Sequence, residues 1–501
     1  MAVRARLAPP RPDREEWQWH QIKSMSLPVT ALLAGDRRME AEAYLLSGFG
    51  LRAALEARPN GWVRFGHLAN IWQPSRLKGI QVTAEFGTPF LAATQVFDLR
   101  PVPRKWLALE RTEKAAQRFV QEGMILVTCS GSVGRATLAY TPHLDTLISH
   151  DLLRVEAIEA KHWGWLYAYL RATTTRAMMT SAQYGHIIKH LEVSHLNALP
   201  IPEVPDSLLQ HFNERTHAIV ELRDKANAAT LAAEKRFAEC LSPLPVSNNG
   251  ENGFAINASA MFSSRRRIDA WPHVPLVQSI KTHLESKGQG LIPLRECGYQ
   301  VWVPGRYKRV PVEEGVTYLD SSDLFEINPD LSKQFADCSF GDQYRGRVQK
   351  GWLLMASSGQ VYGIIGGVIL SNAFFADKVV SNHVIRIAPI AKPAVRSGYL
   401  LTALAHPLLG RPIIKSFAFG SSVPEIDTES VNEFAVVRLA LDDEDYIADQ
   451  AEQAAEWRAE ADVLETEIAD EAEQILSRFL AGEPLEPHPS SELGVHVHQK
   501  P

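Results

Sequence analysis

The chain alternates short apolar runs with polar, glycine-punctuated breaks, and one such unit is present twice. Met124-Ile125-Leu126-Val127 is continuously apolar and then breaks at Thr128-Cys129-Ser130-Gly131-Ser132-Val133-Gly134-Arg135. About 228 residues later, Trp352-Leu353-Leu354-Met355 breaks in the same way at Ala356-Ser357-Ser358-Gly359-Gln360-Val361-Tyr362-Gly363. A short apolar run closed by a Gly-containing turn reads as a buried strand entering a hairpin, with Gly supplying a positive φ.

Other patterns recur in the same order. Ile71-Trp72-Gln73-Pro74-Ser75-Arg76-Leu77-Lys78 is mirrored by Val301-Trp302-Val303-Pro304-Gly305-Arg306-Tyr307-Lys308, each reading as strand, turn and exposed basic loop. Strands beginning at Gly87 and Gly315 lead to Gln95-Val96-Phe97 and Asp323-Leu324-Phe325. Leu147 to Val155 and Val379 to Ile387 alternate as half-buried strands do. Helical patterns follow at 163–171 and 397–404, then Tyr184-Gly185-His186 and Phe419-Gly420-Ser421, then 191–197 and 426–432. Upstream, Arg37 to Glu56 and Arg266 to Leu284 each open a half with a helical pattern. Ordered matches at offsets of about 228 to 235 residues mean a tandem duplication. The expected fold is α/β (α+β), two similar domains related by a pseudo-two-fold axis.

Each copy ends in a long single-stripe helix. The first is predicted from about Asp206 to Leu241, with Leu208, Phe212, Ile219, Leu222, Ala226, Ala229, Ala233 and Phe237 on one face. The second is predicted from about Asp443 to Leu480, its apolar residues stepping mostly by three and four as in a coiled coil. Helices roughly 50–55 Å long with one apolar stripe need a partner, and each is the obvious partner of the other, antiparallel. The predicted organisation is a flexible leader (1–25), a first domain (26–203), a first spacer helix (204–242), a linker (243–264), a second domain (265–439), a second spacer helix (440–482) and a disordered tail (483–501).

Composition changes this picture in one respect. The net charge is −6, yet residues 441–480 carry fourteen Asp/Glu against two Arg, or −12, leaving +6 for the remainder. An acidic total thus hides basic surface. The four cysteines have no paired spacing, which argues against a zinc site and a disulfide framework. No apolar run of membrane-spanning length and no signal-peptide core is present, so a cytoplasmic protein without membrane contact is expected.

No phosphate-loop, dinucleotide, zinc-protease or amino-methyltransferase motif occurs. Asp151 with Glu159-Ala160-Lys161 imitates a Mg²⁺ nuclease site. The pattern is short, and the second copy has His383 in place of Asp151 with no Glu-x-Lys after it, so a solvated strand end is the better reading. His488, His496 and His498 read as part of a polar tail. No catalytic and no metal-ligating residue is therefore assigned. Basic residues interleaved with Tyr, Gln and Ser on a repeated loop suit phosphate and base-edge contacts instead. The candidate DNA-contacting residues are Arg76, Lys78, Ser130, Ser132, Arg135, Tyr184, His186 and Lys189 in the first copy. In the second they are Arg306, Tyr307, Lys308, Arg309, Arg345, Arg347, Gln360, Tyr362, Ser421 and Ser422.

The two Ser-Gly turns, the Leu199-Pro200-Ile201-Pro202 exit into the first long helix, Arg267-Ile268-Asp269-Ala270, and the order domain, helix, domain, helix resemble the specificity subunit of Type I restriction-modification systems over residues 26–482. The resemblance implies a non-catalytic subunit whose two target recognition domains each read half of a bipartite site in double-stranded DNA. The helices would act as ruler and as dock for two adenine methyltransferase subunits, with a restriction or translocase subunit as a further partner in phage defence. S-adenosylmethionine and Mg²⁺ are expected only in those partners, not in this chain. The sequence departs from the pattern in its second exit, Val436-Val437-Arg438-Leu439, which lacks Pro-x-Pro, and in the acidity of its second long helix. The competing readings are the Mg²⁺-dependent nuclease and a coiled-coil protein scaffold.

Overall fold

The computed structural model describes residues 26–30, 40–76, 78–184, 189–243, 253–262, 267–337, 346–390 and 392–485. The two halves repeat one topology. In the first, a four-stranded sheet runs in the order Ala69–Trp72, Leu152–Ala157, Ile125–Thr128, Ala136–Leu138; in the second the order is Tyr299–Trp302, Val384–Pro389, Leu353–Ala356, Val368–Leu370. All neighbours in both sheets are antiparallel. Each half adds a second sheet, four-stranded in the first half and three-stranded in the second, holding one parallel pair, Phe90 and Leu91 against Leu147 and Ile148, and Tyr318 and Leu319 against Val379 and Val380. Each is closed by a two-stranded pair, Trp62–Arg64 with Pro200–Pro202 and Leu291–Pro293 with Ala435–Val437. The Pro-x-Pro that is lost from the second exit is therefore replaced by an ordinary strand at the same place.

The apolar runs of the Ser-Gly units are fully buried strands, as their continuous pattern predicts. Each sheet also buries one arginine at its centre. Arg154 donates to the carbonyls of Ser149 (2.8 Å), Leu152 (2.5 Å) and Ile148 (3.0 Å). Arg386 donates to those of Ser381 (2.8 Å), Val384 (2.5 Å) and Val380 (2.5 Å). Burial pulls both guanidinium pKa values down to about 10, so both remain charged near neutral pH. Each clamps the strand carrying it to the one before it, satisfying carbonyls that the ladder leaves open.

The opening helices differ from expectation. The first half has Ala41–Leu45 and Ser47–Glu56, broken at Leu46, whose backbone is extended. Gly48 lies so close to the next layer that a Cβ would meet the Ala177 carbonyl at 1.9 Å. In the second half the helix begins only at Pro275, after a 3-10 turn at Trp271–His273. Pro272 and Pro275 account for this, since proline fits the first turn of a helix but excludes the helical conformation from the residue before it. Within 243–264, residues Ala258–Phe262 form a short helix.

The long helices span Asp206–Leu241 and Leu441–Ala481 and pack along each other. Their cross-pairs run in opposite order: His211 and Arg215 with Glu471, Arg215 with Glu467, Arg223 with Glu465 and Asp462, Arg458 with Thr230, Arg236 with Asp443. The helices are thus antiparallel. The acidity of the second is largely consumed inside the chain, since eleven of its fourteen carboxylates have a described partner. Besides the cross-pairs, Glu444 holds Arg438, Glu456 holds Lys350, Asp445, Asp449 and Glu452 surround Arg396, and Glu473 accepts from Thr174.

Each core is completed by the far end of the other half's helix. Ile468, Ala472, Ile475, Leu476 and Phe479 enter the first core, while Ala233, Phe237 and Leu241 enter the second. Equivalent glycines let each half's own helix approach just as closely: Gly164 lies against the Phe212 backbone and Gly398 against that of Ala448, where a Cβ would sit at 2.4 Å in each case. Among the described residues no helix is long and apolar enough to cross a membrane.

The halves also touch directly, through equivalent segments. Leu99 N donates to Phe325 O (2.6 Å) and Ile327 N to Phe97 O (2.8 Å), a two-bond antiparallel bridge centred on Asp98 and Glu326. Burial, with a smaller push from Glu326 and against the pull of Arg104, raises Asp98 to about 7. An acid whose pKa is higher folded than unfolded binds its proton more tightly in the native state, so stability is lost as pH rises from about 4 to about 7. Urea midpoints at pH 5.5 and 8 are expected to differ in that direction for the native chain. The Asp98→Asn chain is expected to show a smaller difference.

Candidate nucleic-acid interface

At one end of each four-stranded sheet three loops are stitched into a single patch. In the first half, Gln73 Nε2 donates to Cys129 Sγ (3.2 Å) and His150 O (2.8 Å), tying the basic loop to the Ser-Gly turn. The turn is held on two sides, by Cys129 N to Asp151 O (3.1 Å) and by Gly131 N to Lys189 O (3.1 Å). Leu191 N returns a bond to Cys129 O (2.9 Å), and Ser130 Oγ meets His190 Nδ1 at 3.1 Å. The second half repeats the backbone part of this stitching: Ser357 N to His383 O (2.9 Å), Gly359 N to Pro424 O (3.1 Å) and Ile426 N to Ser357 O (2.8 Å). Val303 stands in place of Gln73, however, and Ser358 Oγ meets a different histidine, His383 Nδ1, at 3.0 Å; the basic loop is held instead by Tyr307 OH to Val380 O (2.8 Å). Gly131 and Gly359 both have positive φ, which these tight turns require.

The Ser-Gly backbone is thus spent on bracing, and what points outward is on its flanks. Arg76, Lys78, Arg306 and Lys308 are exposed, and their side chains have no hydrogen-bond or ion-pair partner among the described residues. Ser132, Ser421 and Ser422 are exposed, and Tyr362 is 75% exposed. Gln360 Nε2 donates to Ser422 O (2.9 Å), which joins the Ser-Gly turn to the Phe419–Val423 loop.

Several expected contact residues are engaged within the chain instead. Arg135 pairs with Glu326 (2.7 Å), reaches Asn328 O (3.4 Å) and stacks 4.3 Å from the Phe97 ring, so it serves the junction between the halves. Arg347 is held by Asp337 (2.6 Å) and Asp377 O (2.9 Å), and Lys189 by Glu42 (2.6 Å). Tyr184 OH donates to Glu192 (2.6 Å) and Tyr307 OH to Val380 O (2.8 Å), while Arg309 donates to Tyr318 OH (3.0 Å). These local acceptors are invisible in a pattern of spacings. His186 and Arg345, and the tail histidines, lie outside the described residues.

Bracing residues were not singled out from the sequence. Arg118 is fully buried and holds the basic loop by donating to Ser75 O (2.9 Å) and Glu113 O (3.3 Å). The signal for Arg154 and Arg386 was present, an arginine at the same place in two largely apolar strands. At the nuclease-like pattern, Asp151 accepts from Ser149 Oγ (3.0 Å), while Lys161 faces Glu159 (3.6 Å) and Asp206 (3.8 Å). No group of three or more His, Cys, Asp or Glu placed to hold a metal occurs among the described residues.

No protein-family model matches the sequence, and no curated protein matches it. Solved structures do. The S subunit of a Type I restriction-modification system from M. genitalium is 14% identical, with 86% of this chain and 96% of that chain covered at a TM-score of 0.26. A type IIG restriction endonuclease, BpuSI, is 12% identical over 35% of this chain and 28% of its own, at a TM-score of 0.26. The HsdS subunit from Thermoanaerobacter tengcongensis is 13% identical, with 85% and 98% covered at 0.25, so the chain is similar over most of its length to structures described as Type I specificity subunits.

Proposed function

We propose that this chain is a non-catalytic DNA-reading subunit, its two halves each contacting one part of a bipartite site in double-stranded DNA. The first head is residues 26–203 and the second 265–439. The observation that carries the reading is the duplicated patch: a basic loop and a braced Ser-Gly turn stand at corresponding places on the same sheet in both halves, with the side chains of Arg76, Lys78, Arg306 and Lys308 left without partners among the described residues. Unpaired Arg and Lys neutralise phosphates, while Ser, Gln and Tyr beside them supply base-edge and sugar contacts. The antiparallel helices fix the separation of the two patches. Adenine methylation, with S-adenosylmethionine and Mg²⁺, would belong to methyltransferase subunits docked on this frame, in a cytoplasmic restriction-modification or phage-defence complex.

About eight phosphate contacts predict a log–log salt slope near −7 for a duplex of about 40 base pairs, measured by fluorescence titration of the full-length chain. Binding that ignores salt would instead favour a protein scaffold.

A further inference from the structure

The junction between the halves is symmetric in backbone but not in charge. Ser181 Oγ donates to Met178 O (2.9 Å) and Ser416 Oγ to Ile413 O (2.6 Å), so the helices Thr173–Ala182 and Gly410–Ser416 correspond at a shift of 235 residues. Gly134 lies against Met179, and Gly366 lies against Ile414 in the same way. That shift makes Arg411 the counterpart of Arg176. Arg176 crosses the junction to Asp330 at 3.2 Å. Arg411 finds no such acid across the junction: the shift of 228 that equates Asp98 with Glu326 places Val102 where Asp330 stands. The first-half charges that act on Arg411 are those of Arg100 and Arg104, with Lys415 one turn further along its own helix.

The charges do not cancel. Arg100 is taken by Glu234. Arg104, Arg411 and Lys415 have no ion pair among the described residues, and the described hydrogen bond of Arg411 goes to a carbonyl, Gly363 O, at 3.2 Å. Asp98, the carboxylate that Arg104 acts on, is itself pushed up to about 7 by burial and so supplies only part of one negative charge near neutral pH. Burial, and then the charges of Arg100 and Arg104, hold Arg411 below its usual range; burial, then Arg411 and Arg104, do the same to Lys415. A pair that is neutralised in one copy and left threefold positive in the other is relieved when an oxyanion sits among the three cations.

We propose that Arg104, Arg411 and Lys415 bind phosphate oxygens of the DNA backbone between the two half-sites, on this one side of the junction. The proposal rests on the DNA-reading function above. Arg411 lies beside Gly363 at the end of the second Ser-Gly turn, and Arg104 belongs to the first half, so a duplex touching both patches passes over the notch between them. The opposite side, closed by Arg135–Glu326 and Arg176–Asp330, offers no such charge.

The test is a chain carrying Arg104→Gln, Arg411→Gln and Lys415→Gln, titrated with a random-sequence duplex of about 40 base pairs across a range of chloride concentrations. Three lost phosphate contacts are expected to flatten the slope by about 2.7 and weaken binding by on the order of 10²-fold near 0.15 M salt. If the unaltered chain shows no salt dependence, the DNA-reading function falls. If it does and the triple variant keeps its slope and affinity, only the present inference is overturned. A melting shift of the unaltered chain in inorganic phosphate over chloride, with duplex binding of the triple variant unchanged, would assign the notch to a free oxyanion and overturn the backbone contact. Because like charges are removed, the triple variant is expected to melt no lower than the parent. Should it fail to fold, Lys415→Gln alone, which loses no described bond, is expected to flatten the slope by about 0.9, and an unchanged slope overturns the proposal.

Discussion

Replacing Arg223 with alanine is expected to cost about 3–5 kcal/mol of folding stability in urea titrations. Arg223 is 4% exposed in the first long helix and faces Asp462 and Glu465 of the second, both as deeply buried. Burial works against its charge, but the two carboxylates outweigh it and hold its pKa above the usual range. The network reaches both heads: Tyr167 OH of the first donates to Glu465 (2.7 Å), and Asn328 Nδ2 of the second approaches Tyr167 OH at 3.4 Å. Deleting the cation leaves two buried carboxylates without a counter-charge in the triad, held only by Tyr167 OH on Glu465 and Asn328 N on Asp462. Exchanging the whole triad for Met, Leu and Met is expected to be close to neutral, since well-packed apolar groups avoid the desolvation cost. The apolar triad would, however, weaken what sets one helix against the other, because a buried polar group at one level of a seam penalises every other register. A cost below about 1 kcal/mol for Arg223→Ala would show that water still reaches the triad.

Removing the four outward cations is expected to give the larger effect on binding. With Arg76, Lys78, Arg306 and Lys308 all changed to Gln, four of about eight phosphate contacts go, so the salt slope should fall to about half. Affinity near 0.15 M salt should drop by on the order of 10³-fold. Stability is expected to stay within about 0.5 kcal/mol, because none of the four side chains has a described partner to lose. Changing Arg135 to Gln should do the reverse, leaving the slope near its original value while weakening the contact with Glu326. Equal loss of slope from both variants would mean that the outward loops are not the binding surface.

The sequence carried more of the architecture than of the site. Repetition at about 228 to 235 residues was enough to anticipate equivalent strands and both long helices, because core periodicity is imposed by burial and burial is shared by the copies. The opening helices were less legible: no proline marks the break at Leu46, and the close packing of Gly48 on Ala177 is a tertiary matter. At the patch, exposure followed from the loop pattern for Arg76, Lys78, Arg306 and Lys308. It did not for Arg135, Arg347 or Lys189, whose carboxylates Glu326, Asp337 and Glu42 come from sequence-distant or unpatterned positions. Spacing tells where a cation lies along the chain, not which anion the fold brings to it. The acidity of the second long helix illustrates the same point, since most of its carboxylates are answered by Arg and Lys from elsewhere in the chain.

The exchange of helix ends between the two cores also bears on the order in which this protein can fold during synthesis. The first half emerges from the ribosome long before Ile468 to Phe479, the residues that finish its core, have been made. Until then it carries an open apolar groove and a long helix with one uncovered stripe. The second half waits far less, because Ala233, Phe237 and Leu241 already exist when its strands appear and Ile447 to Ala455 of its own helix follow at once. The earlier-made head is therefore the later one to mature. A ribosome that stops short of the last turns of the second helix releases a chain whose damage lies at its beginning.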